Sequence, residues 1–161
     1  MRPGSIYAAF QSKEALFRAT LDLYAERMEA ELGAMIQDAP SALSALRGYL
    51  LSLGGLDACN KPSTACMLVK SLLEIQTDHP ELRGAVLDHL DTIRRLLEDG
   101  FSKARAAGEI PTDADPARLA RRMQTYIFGL KIQAQRETDA DAMQRLAQDL
   151  ADEISELRRA A

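Results

Sequence analysis

The amino-acid sequence predicts an all-α fold, a bundle of about six helices without a convincing internal domain boundary. Apolar residues recur at spacings of three and four along most of the 161 residues, the period of a helix with one buried face. Six prolines and nine glycines are few, and the chain is rich in Ala, Leu, Glu, Arg and Gln, a composition that favours helix. Capping residues, Pro or Gly bound the apolar stripes.

The first predicted helix begins after Ser12, whose hydroxyl can accept a hydrogen bond from a free amide of the first turn. Glu14 lies in that turn, where a carboxylate suits the positive end of the helix dipole. The helix should end just before Pro40, which gives roughly 25 residues and about 38 Å of length. Its apolar stripe comprises Leu16, Leu23, Tyr24, Met28, Leu32, Met35 and Ile36.

Two shorter helices are predicted next, one from Ser41 to Gly54 and one over 65–75. The apolar face of the first comprises Leu43, Leu46, Leu50 and Leu53. The second is apolar almost all round, so we expect it to be buried on most sides. Its exceptions, Lys70 and Glu74, are neighbours on the helix surface. They form either a partly exposed ion pair of little energetic value or the polar lining of a cavity.

Three helices complete the predicted bundle. The fourth has Pro80 in its first turn, runs for about 26 residues and closes at Gly108, where a left-handed C-cap is needed. The fifth and sixth begin at caps, Asp115 and Asp139. The apolar stripe of the fourth helix comprises Leu82, Val86, Leu90, Ile93, Leu97, Phe101 and Ala104. That of the fifth comprises Leu119, Met123, Tyr126, Ile127, Leu130 and Ala134, and that of the sixth comprises Met143, Leu146, Leu150, Ile154 and Leu157.

The composition argues against several classes of function. The formal net charge of −4 argues against a basic nucleic-acid-binding surface over most of the body. Apolar runs are too short to span a bilayer and the N-terminus lacks a signal pattern, so we expect a cytoplasmic protein with no membrane partner. The sequence has no Gly-rich phosphate loop, nucleophile elbow or His-Glu-x-x-His motif. We therefore expect no enzyme, no catalytic residues and no cofactor.

The histidines and cysteines do not suggest a metal site. Neither His79 nor His89 has a Glu three residues before it, as a di-metal helical bundle would need. His79 fits a turn, and His89 is either a satisfied structural group at the rim of the core or a ligand contact. Cys59 and Cys66 lack the spacing and the partners of zinc ligands. We expect Cys66 to behave as a small buried hydrophobic residue.

The N-terminal stretch carries the most specific signal in the chain. It reads Gly4-Ser5-Ile6-Tyr7-Ala8-Ala9-Phe10-Gln11-Ser12-Lys13-Glu14-Ala15-Leu16-Phe17. This stretch resembles the end of the DNA-binding domain of the TetR family of transcriptional regulators, which reads Gly-Ser/Thr-Ile/Leu-Tyr-x-x-Phe-x-Ser/Asn-Lys-Glu-x-Leu. The matching positions are Gly4, Ser5, Ile6, Tyr7, Phe10, Ser12, Lys13, Glu14 and Leu16. The order of the remaining helices is also similar to that of the family.

The resemblance implies a ligand-responsive regulator, a repressor in our interpretation, that binds operator DNA as a homodimer. It implies that Tyr7 and Lys13 meet DNA phosphates, with the recognition-helix positions near bases. Those positions are Arg2, Pro3, Gly4 and Ser5. In the family two further helices precede this motif, so we expect a shortened DNA-binding remnant and connecting helix over 1–38. The resemblance assigns 39–161 to ligand binding and dimerisation. We expect the chain as printed to bind DNA weakly or not at all.

We further expect the central helices to enclose a pocket for a small apolar or amphipathic effector. Apolar lining with few polar groups is the usual composition of a ligand site, although each methionine alone is also ordinary core filler. The predicted lining comprises Met28, Met35, Leu53, Met67, Lys70, Glu74, Leu97, Phe101 and Tyr126.

The last two helices are predicted to form the homodimer interface. Their apolar stripes are wider than a cover for the core requires, and pairing with a symmetry mate would give a four-helix bundle about a two-fold axis. The predicted interface comprises Met123, Ile127, Leu130, Met143, Leu146, Leu150, Ile154 and Leu157. The alternative is that these residues belong to the core of a single chain.

Two other functions remain open from the sequence alone. The acidic charge and the short N-terminus are compatible with a helical module that dimerises or binds proteins without touching DNA. A helical small-molecule carrier or enzyme is the second alternative.

Overall fold

The computed structural model describes residues 12–55, 66–75 and 79–157, and every regular element within these ranges is an α-helix. Within the described ranges, six helices follow one another in the predicted order, which confirms the all-α fold. They are α1 (Lys13–Asp38), α2 (Ala42–Leu53), α3 (Met67–Glu74), α4 (Pro80–Ala106), α5 (Pro116–Gln133) and α6 (Ala140–Glu156).

Four of the helices begin at the predicted capping residues. The Ser12 hydroxyl accepts a hydrogen bond from the Ala15 amide at 3.0 Å, which satisfies a free donor of the first turn of α1. Ser41 starts α2 in the same way, and Asp115 and Asp139 each accept from two amides at the starts of α5 and α6. The starts of these four helices are therefore fixed by local hydrogen bonding.

Gly108 follows the end of helix α4 as its capping glycine, as predicted. The backbone of Gly108 has a φ of 69°, in the left-handed region that glycine adopts without a steric cost. Its amide donates to the Arg105 carbonyl at 3.1 Å, and the Glu109 amide donates to the Ala104 carbonyl at 2.9 Å. This pair of bonds is a Schellman motif, which satisfies the last carbonyls of the helix.

Helix α4 forms the centre of the bundle, and α1, α2, α3 and α5 all pack against it. Helix α6 packs chiefly against α2. The predicted stripe of α4 is confirmed, since Val86, Leu97 and Phe101 are completely buried. Each such side chain contributes roughly 1.5–3 kcal/mol to folding, so the contacts around α4 hold the other helices in place.

A glycine in α4 permits the close approach of α1 and α2. A Cβ atom at Gly100 would lie 3.2 Å from Leu46 Cδ2 and 3.3 Å from Ile36 Cδ1. Both distances are shorter than an ordinary van der Waals contact, so the hydrogen at this position is what allows Ile36 and Leu46 to pack directly on the α4 backbone.

The predicted buried stripe of α1 requires one correction. Leu23 is 70% exposed, whereas Leu21 and Ala25 are completely buried. Leu21, Ala25 and Leu32 continue toward Ile36 at helical spacing and form the inner face. Leu23 points away from that face. Its assignment to the buried stripe was wrong because it rested on apolar character alone.

The prediction for α3 was wrong in two respects. The helix is only eight residues long, and it is not buried on most sides. Leu68 and Ser71 face the bundle, whereas Lys70, Glu74 and Leu73 are exposed, the last at 78%. A helix of two turns that packs on α4 and α1 has only one covered side.

Candidate ligand cleft and the helix that leads to it

A cleft of about 340 Å³ lies between α1, α2 and α5, a volume within the usual range of small-molecule pockets. Four of its lining residues come from α1 at spacings that place them on one side of that helix. The lining comprises Tyr24, Arg27, Met28, Glu31, Tyr49 and Lys131.

The charged groups of the cleft divide into an exposed pair and a buried cation. Arg27 Nε lies 2.9 Å from Glu31 Oε1, and the two side chains are 80% and 66% exposed. Lys131 is only 8% exposed, and its Nζ lies 3.5 Å from the Met28 sulfur, a weak acceptor. The mouth of the cleft is therefore close to neutral, and its interior carries one positive charge.

Two tyrosines supply the aromatic part of the lining. Burial is the main reason that the pKa of Tyr24 and the pKa of Tyr49 are raised to about 12, and the neighbouring Cys66 thiol adds to both shifts. Both phenols therefore keep their protons near neutral pH. They offer apolar ring faces and neutral hydroxyl groups, and they do not neutralise Lys131.

Cys66 lies next to these tyrosines, as the first residue before α3. Its side chain is 3% exposed and has a free thiol. The prediction of a small buried residue is confirmed. Cys59 lies outside the described residues.

On another side of α1, His89 of α4 joins two carboxylates of that helix. His89 Nδ1 lies 2.8 Å from Glu29 Oε1, and Nε2 lies 3.0 Å from Asp22 Oδ1. A neutral imidazole has only one N–H donor, so both hydrogen bonds to carboxylates require the doubly protonated ring. Of the two alternatives predicted for His89, the structure favours the satisfied structural group, which here forms an ionic bridge between α1 and α4.

The charges of this bridge stabilise one another. Partial burial alone would lower the pKa of His89, but its hydrogen bonds to Asp22 and Glu29 outweigh this effect and raise it above the ordinary 6.5. Burial would raise the pKa of Asp22, but hydrogen bonds from His89 and Arg18 lower it below 3.8. The bridge is therefore favoured as an ion pair in mildly acidic solution.

A second polar contact joins the end of α1 to α4. Lys103 Nζ donates to the carbonyls of Ile36 at 3.1 Å and Gln37 at 2.9 Å. A cation is favourable at the C-terminal end of a helix, where carbonyls lack partners and the dipole is negative. We call the His89 bridge, the Lys103 contact and the packing at Gly100 the α1–α4 seam.

The structure separates the residues predicted to line one pocket. Met28 lines the cleft, whereas Glu74 lines a different depression with Phe17 and His79. Leu97 and Phe101 are fully buried in the core.

Two of the residues predicted to line the effector pocket need correction, and four others pack in or against the core. Lys70 and Glu74 have exposed side chains, so they do not form the expected polar lining of an enclosed cavity. Met35, Leu53, Met67 and Tyr126 pack in or against the core, and their role as ligand contacts stays a prediction.

The predicted interface residues also fall into two groups. Five are at most 4% exposed within the single chain, so they have no surface left for a second copy and the interface assignment is corrected for them: Met123, Ile127, Leu130, Met143 and Ile154. Leu146, Leu150 and Leu157 are only partly buried and keep accessible surface. Homodimer formation itself stays a prediction.

The predicted DNA contacts lie almost entirely outside the described residues. This applies to Arg2, Pro3, Gly4, Ser5 and Tyr7. Lys13 is described as the exposed first residue of α1, beside the cap made by Ser12. An exposed lysine at a helix start is suited to a phosphate, and this role stays a prediction.

Of the six lining residues of the cleft, sequence reasoning assigned only Met28 to the pocket and missed Tyr24, Arg27, Glu31, Tyr49 and Lys131. For Lys131 a signal was present, because it lies four residues after Ile127 and three before Ala134, both of which are buried. A charge within an apolar stripe is unusual and can mark a site. Tyr49 gave no such signal, since its position in the cleft depends on how α2 crosses α1.

Comparison with known proteins gives the following similarities. The model of the family described as "Tetracyclin repressor-like, C-terminal domain" matches residues 51–150. The chain is 26% identical over 144 residues to the HTH-type transcriptional repressor ComR of Escherichia coli strain K12, covering 89% of this chain and 69% of ComR.

Solved structures give the same result. The structure is similar to that of the TetR family transcriptional regulator CifR, a cysteine mutant complexed with 26-bp double-strand operator DNA, at a TM-score of 0.82 and 25% identity over 94% of this chain and 79% of CifR. A TetR family transcriptional regulator from Cytophaga hutchinsonii also has a TM-score of 0.82, at 22% identity, over 98% of this chain and 78% of its own. The second likeness concerns the fold alone. Within the described ranges, no helix combines the length and the apolar character that crossing a bilayer requires.

Proposed function

Because the chain belongs to the TetR family of transcriptional regulators, we propose that it works as a homodimer that releases operator DNA when a small molecule enters the cleft. The position of α1 carries this proposal. Lys13, Glu14 and Leu16 of the DNA-binding motif form its first turn, and Tyr24, Met28 and their neighbours line the cleft further along. One helix therefore belongs to both the DNA-binding motif and the ligand cleft.

The geometry suggests how the signal travels. Helix α1 has 26 residues and is therefore about 39 Å long, so a small tilt at the cleft becomes a larger displacement at its N-terminus. The α1–α4 seam limits how α1 can move, since α4 holds it at Asp22, Glu29 and the last carbonyls. A ligand between α1, α2 and α5 would shift α1 against this seam and change the spacing of two DNA-binding heads.

DNA contact is assigned to the motif that precedes and begins α1. Lys13 would contact a phosphate together with Tyr7, and Arg2, Pro3, Gly4 and Ser5 would lie near bases. Phosphate contacts position a protein on DNA, and base contacts give it sequence preference.

The dimer surface is assigned to the accessible side of α5 and α6. Leu146, Leu150 and Leu157 recur at helical spacing on α6 and keep accessible surface. Tyr126 of α5 lies beside these three leucines, as its hydroxyl donates a hydrogen bond to Glu153 on the same side of α6. Partly exposed apolar residues on two adjacent helices are the composition expected of a surface that buries itself against a second copy.

The test combines assembly with DNA binding. The double variant Leu146→Glu/Leu150→Glu places two charges on the proposed interface and should convert the dimer into a monomer in light scattering at low micromolar concentration. The protein is expressed from its natural gene, with whatever residues precede Met1 there, and an operator duplex is selected from random DNA. Loss of the dimer should weaken operator binding, measured by fluorescence anisotropy, by at least about 100-fold, since each monomer contacts only one half-site.

The control is Gln148→Glu, which adds one charge where the double variant adds two, at an exposed position on a different side of α6 where Gln148 donates to Asp152. It should leave both the dimer and the operator affinity unchanged. A folded double variant that stays dimeric, or a monomer that binds the operator as tightly as the wild type, would contradict the proposal.

A further inference from the structure

Lys131 is a buried cation that lacks an anionic partner within the part of the chain described by the structure. Its side chain is 8% exposed, and the only described acceptor near Nζ is the Met28 sulfur at 3.5 Å. The one carboxylate among the described lining residues of the cleft belongs to Glu31, which is paired with Arg27. A buried charge without a partner is costly, so such a residue calls for a compensating group.

Among the described residues that line the cleft, no unpaired anionic group is available to Lys131. Tyr24 and Tyr49 stay neutral because their pKa values are about 12. Met28 is neutral as well. Among the described lining residues, a negative charge that enters the cleft would therefore meet one ammonium group, that of Lys131, and one carboxylate, that of Glu31, which is already paired with Arg27.

We propose that the cleft binds a small organic acid, whose carboxylate pairs with Lys131 Nζ and whose apolar body packs against Tyr24, Met28 and Tyr49. This inference deepens the proposed function, on which it rests for the role of the cleft as an effector site. A single ammonium group matches the single charge of a carboxylate. Two aromatic rings and a thioether suit an aromatic or aliphatic body, and about 340 Å³ accommodates a molecule of small size.

The exposed pair Arg27–Glu31 at the mouth of the cleft is consistent with an acid whose carboxylate points toward Lys131. Arg27 and Glu31 are largely exposed and neutralise each other, so they do not hold an anion at the entrance. The acid would pass them and exchange its hydration shell for the ammonium group of Lys131. Charge-assisted hydrogen bonds are stronger than neutral ones, which gives the acid an advantage over a neutral analogue of the same shape.

The experiment measures acid binding by isothermal titration calorimetry with three probes, benzoate, 3-phenylpropionate and octanoate, and with their uncharged amides. At least one acid should bind the wild type roughly 10–100-fold more tightly than its amide. The variant Lys131→Met should lose that preference, because it keeps a side chain of similar length without the charge. The variant Lys131→Arg should retain part of it.

The matched control is Arg121→Met, which removes a cation from an exposed position of the same helix. It should bind the acids as the wild type does. Equal affinity for acids and amides, an unchanged preference in a folded Lys131→Met variant, or no binding of any of the three acids would overturn the inference. Thermal unfolding of each variant shows whether it is folded.

A parallel DNA-binding measurement separates this inference from the proposed function. If an acid binds through Lys131 but leaves the operator complex intact, the ligand class stands and the effector role of the cleft fails. If operator binding is abolished by an unrelated ligand while no acid binds, the ligand class fails and the regulatory role stands.

Discussion

Two of the regions in which helix α1 packs against the bundle, the α1–α4 seam and the cleft, differ in how their charged groups are paired. In the α1–α4 seam, His89 has a carboxylate at each ring nitrogen, and Lys103 has two carbonyl acceptors. In the cleft, the one acceptor that the described residues offer to Lys131 is a methionine sulfur. The seam is complete without a ligand, whereas the cleft leaves a charge without its counterpart.

This difference distinguishes residues that stabilise the fold from residues that are available for binding. A satisfied buried polar group holds two elements in register, and its removal leaves its partners unpaired. An unsatisfied buried charge destabilises the free protein and persists where a ligand can compensate it. Substitutions in the two regions should therefore change stability in opposite directions.

The largest effect is expected from filling the seam at Gly100. A valine there would force its Cβ and two further carbons against Leu46 and Ile36, which already lie at 3.2 and 3.3 Å from the position of a Cβ. Overpacking of this kind costs about 1–3 kcal/mol. Urea unfolding of Gly100→Val should show this loss as a lower midpoint with an unchanged slope.

Gly84 provides the matched control, because it lies in the same helix and a Cβ there meets no atom within 4 Å. Gly84→Val should be neutral or slightly stabilising, since valine has a better helix propensity than glycine. Similar losses of stability in both variants would show that the cost arises from valine in α4 and not from the close approach of α1.

The second prediction concerns the ionic bridge of the seam. His89→Ala should lower the free energy of unfolding by about 1–2 kcal/mol at pH 6, because Asp22 and Glu29 lose their shared partner. Arg27→Ala removes an exposed pair of the same helix and serves as the control, with an expected loss of at most about 0.5 kcal/mol.

The pH dependence of this loss follows from the two pKa shifts. The pKa of His89 is raised in the folded state, so its contribution is complete below pH 6.5 and disappears as the pH rises through the raised value. The pKa of Asp22 is lowered, so its contribution is present above pH 3.8 and disappears as the pH falls through the lowered value. Urea titrations at several pH values should find the difference between wild type and His89→Ala smaller at pH 9 than at pH 6. An equal difference at both would mean that protonation of His89 does not stabilise the seam.

The seam and the cleft differ in how far the sequence could predict them. Caps such as Ser12, Asp115 and Gly108 could be predicted because they depend on neighbours within a few residues. The stripe of α4 could be predicted because a central helix is covered along one continuous face. Leu23 was misassigned because several rotations of α1 bury a similar number of apolar residues, and only the packing on α4 selects one.

The candidate site was harder to predict because it depends on contacts between distant parts of the chain. Met28 was assigned to the pocket, but Lys70 and Glu74 were chosen as its polar groups because they stand out in an apolar helix. They are exposed because α3 is short and covered on one side. The actual buried charge, Lys131, lies among the apolar residues of α5, and its distance of 103 residues from Met28 in sequence conceals their contact.

The smallest predicted effect has the opposite sign and lies in the cleft. Lys131→Met should raise the free energy of unfolding of the ligand-free protein by about 1 kcal/mol, because methionine is of similar length and carries no charge to desolvate. A stabilising substitution of a buried residue is uncommon, since most core substitutions destabilise. Urea unfolding at neutral pH measures the change. The control Arg121→Met removes an exposed charge from the same helix and should leave the free energy of unfolding within about 0.5 kcal/mol of wild type.

With a bound organic acid the order of stability of wild type and Lys131→Met should reverse, because the wild type gains the binding free energy that the variant lacks. If Lys131→Met is less stable than the wild type without any ligand, Lys131 holds the fold together as His89 does, and the contrast between the seam and the cleft fails.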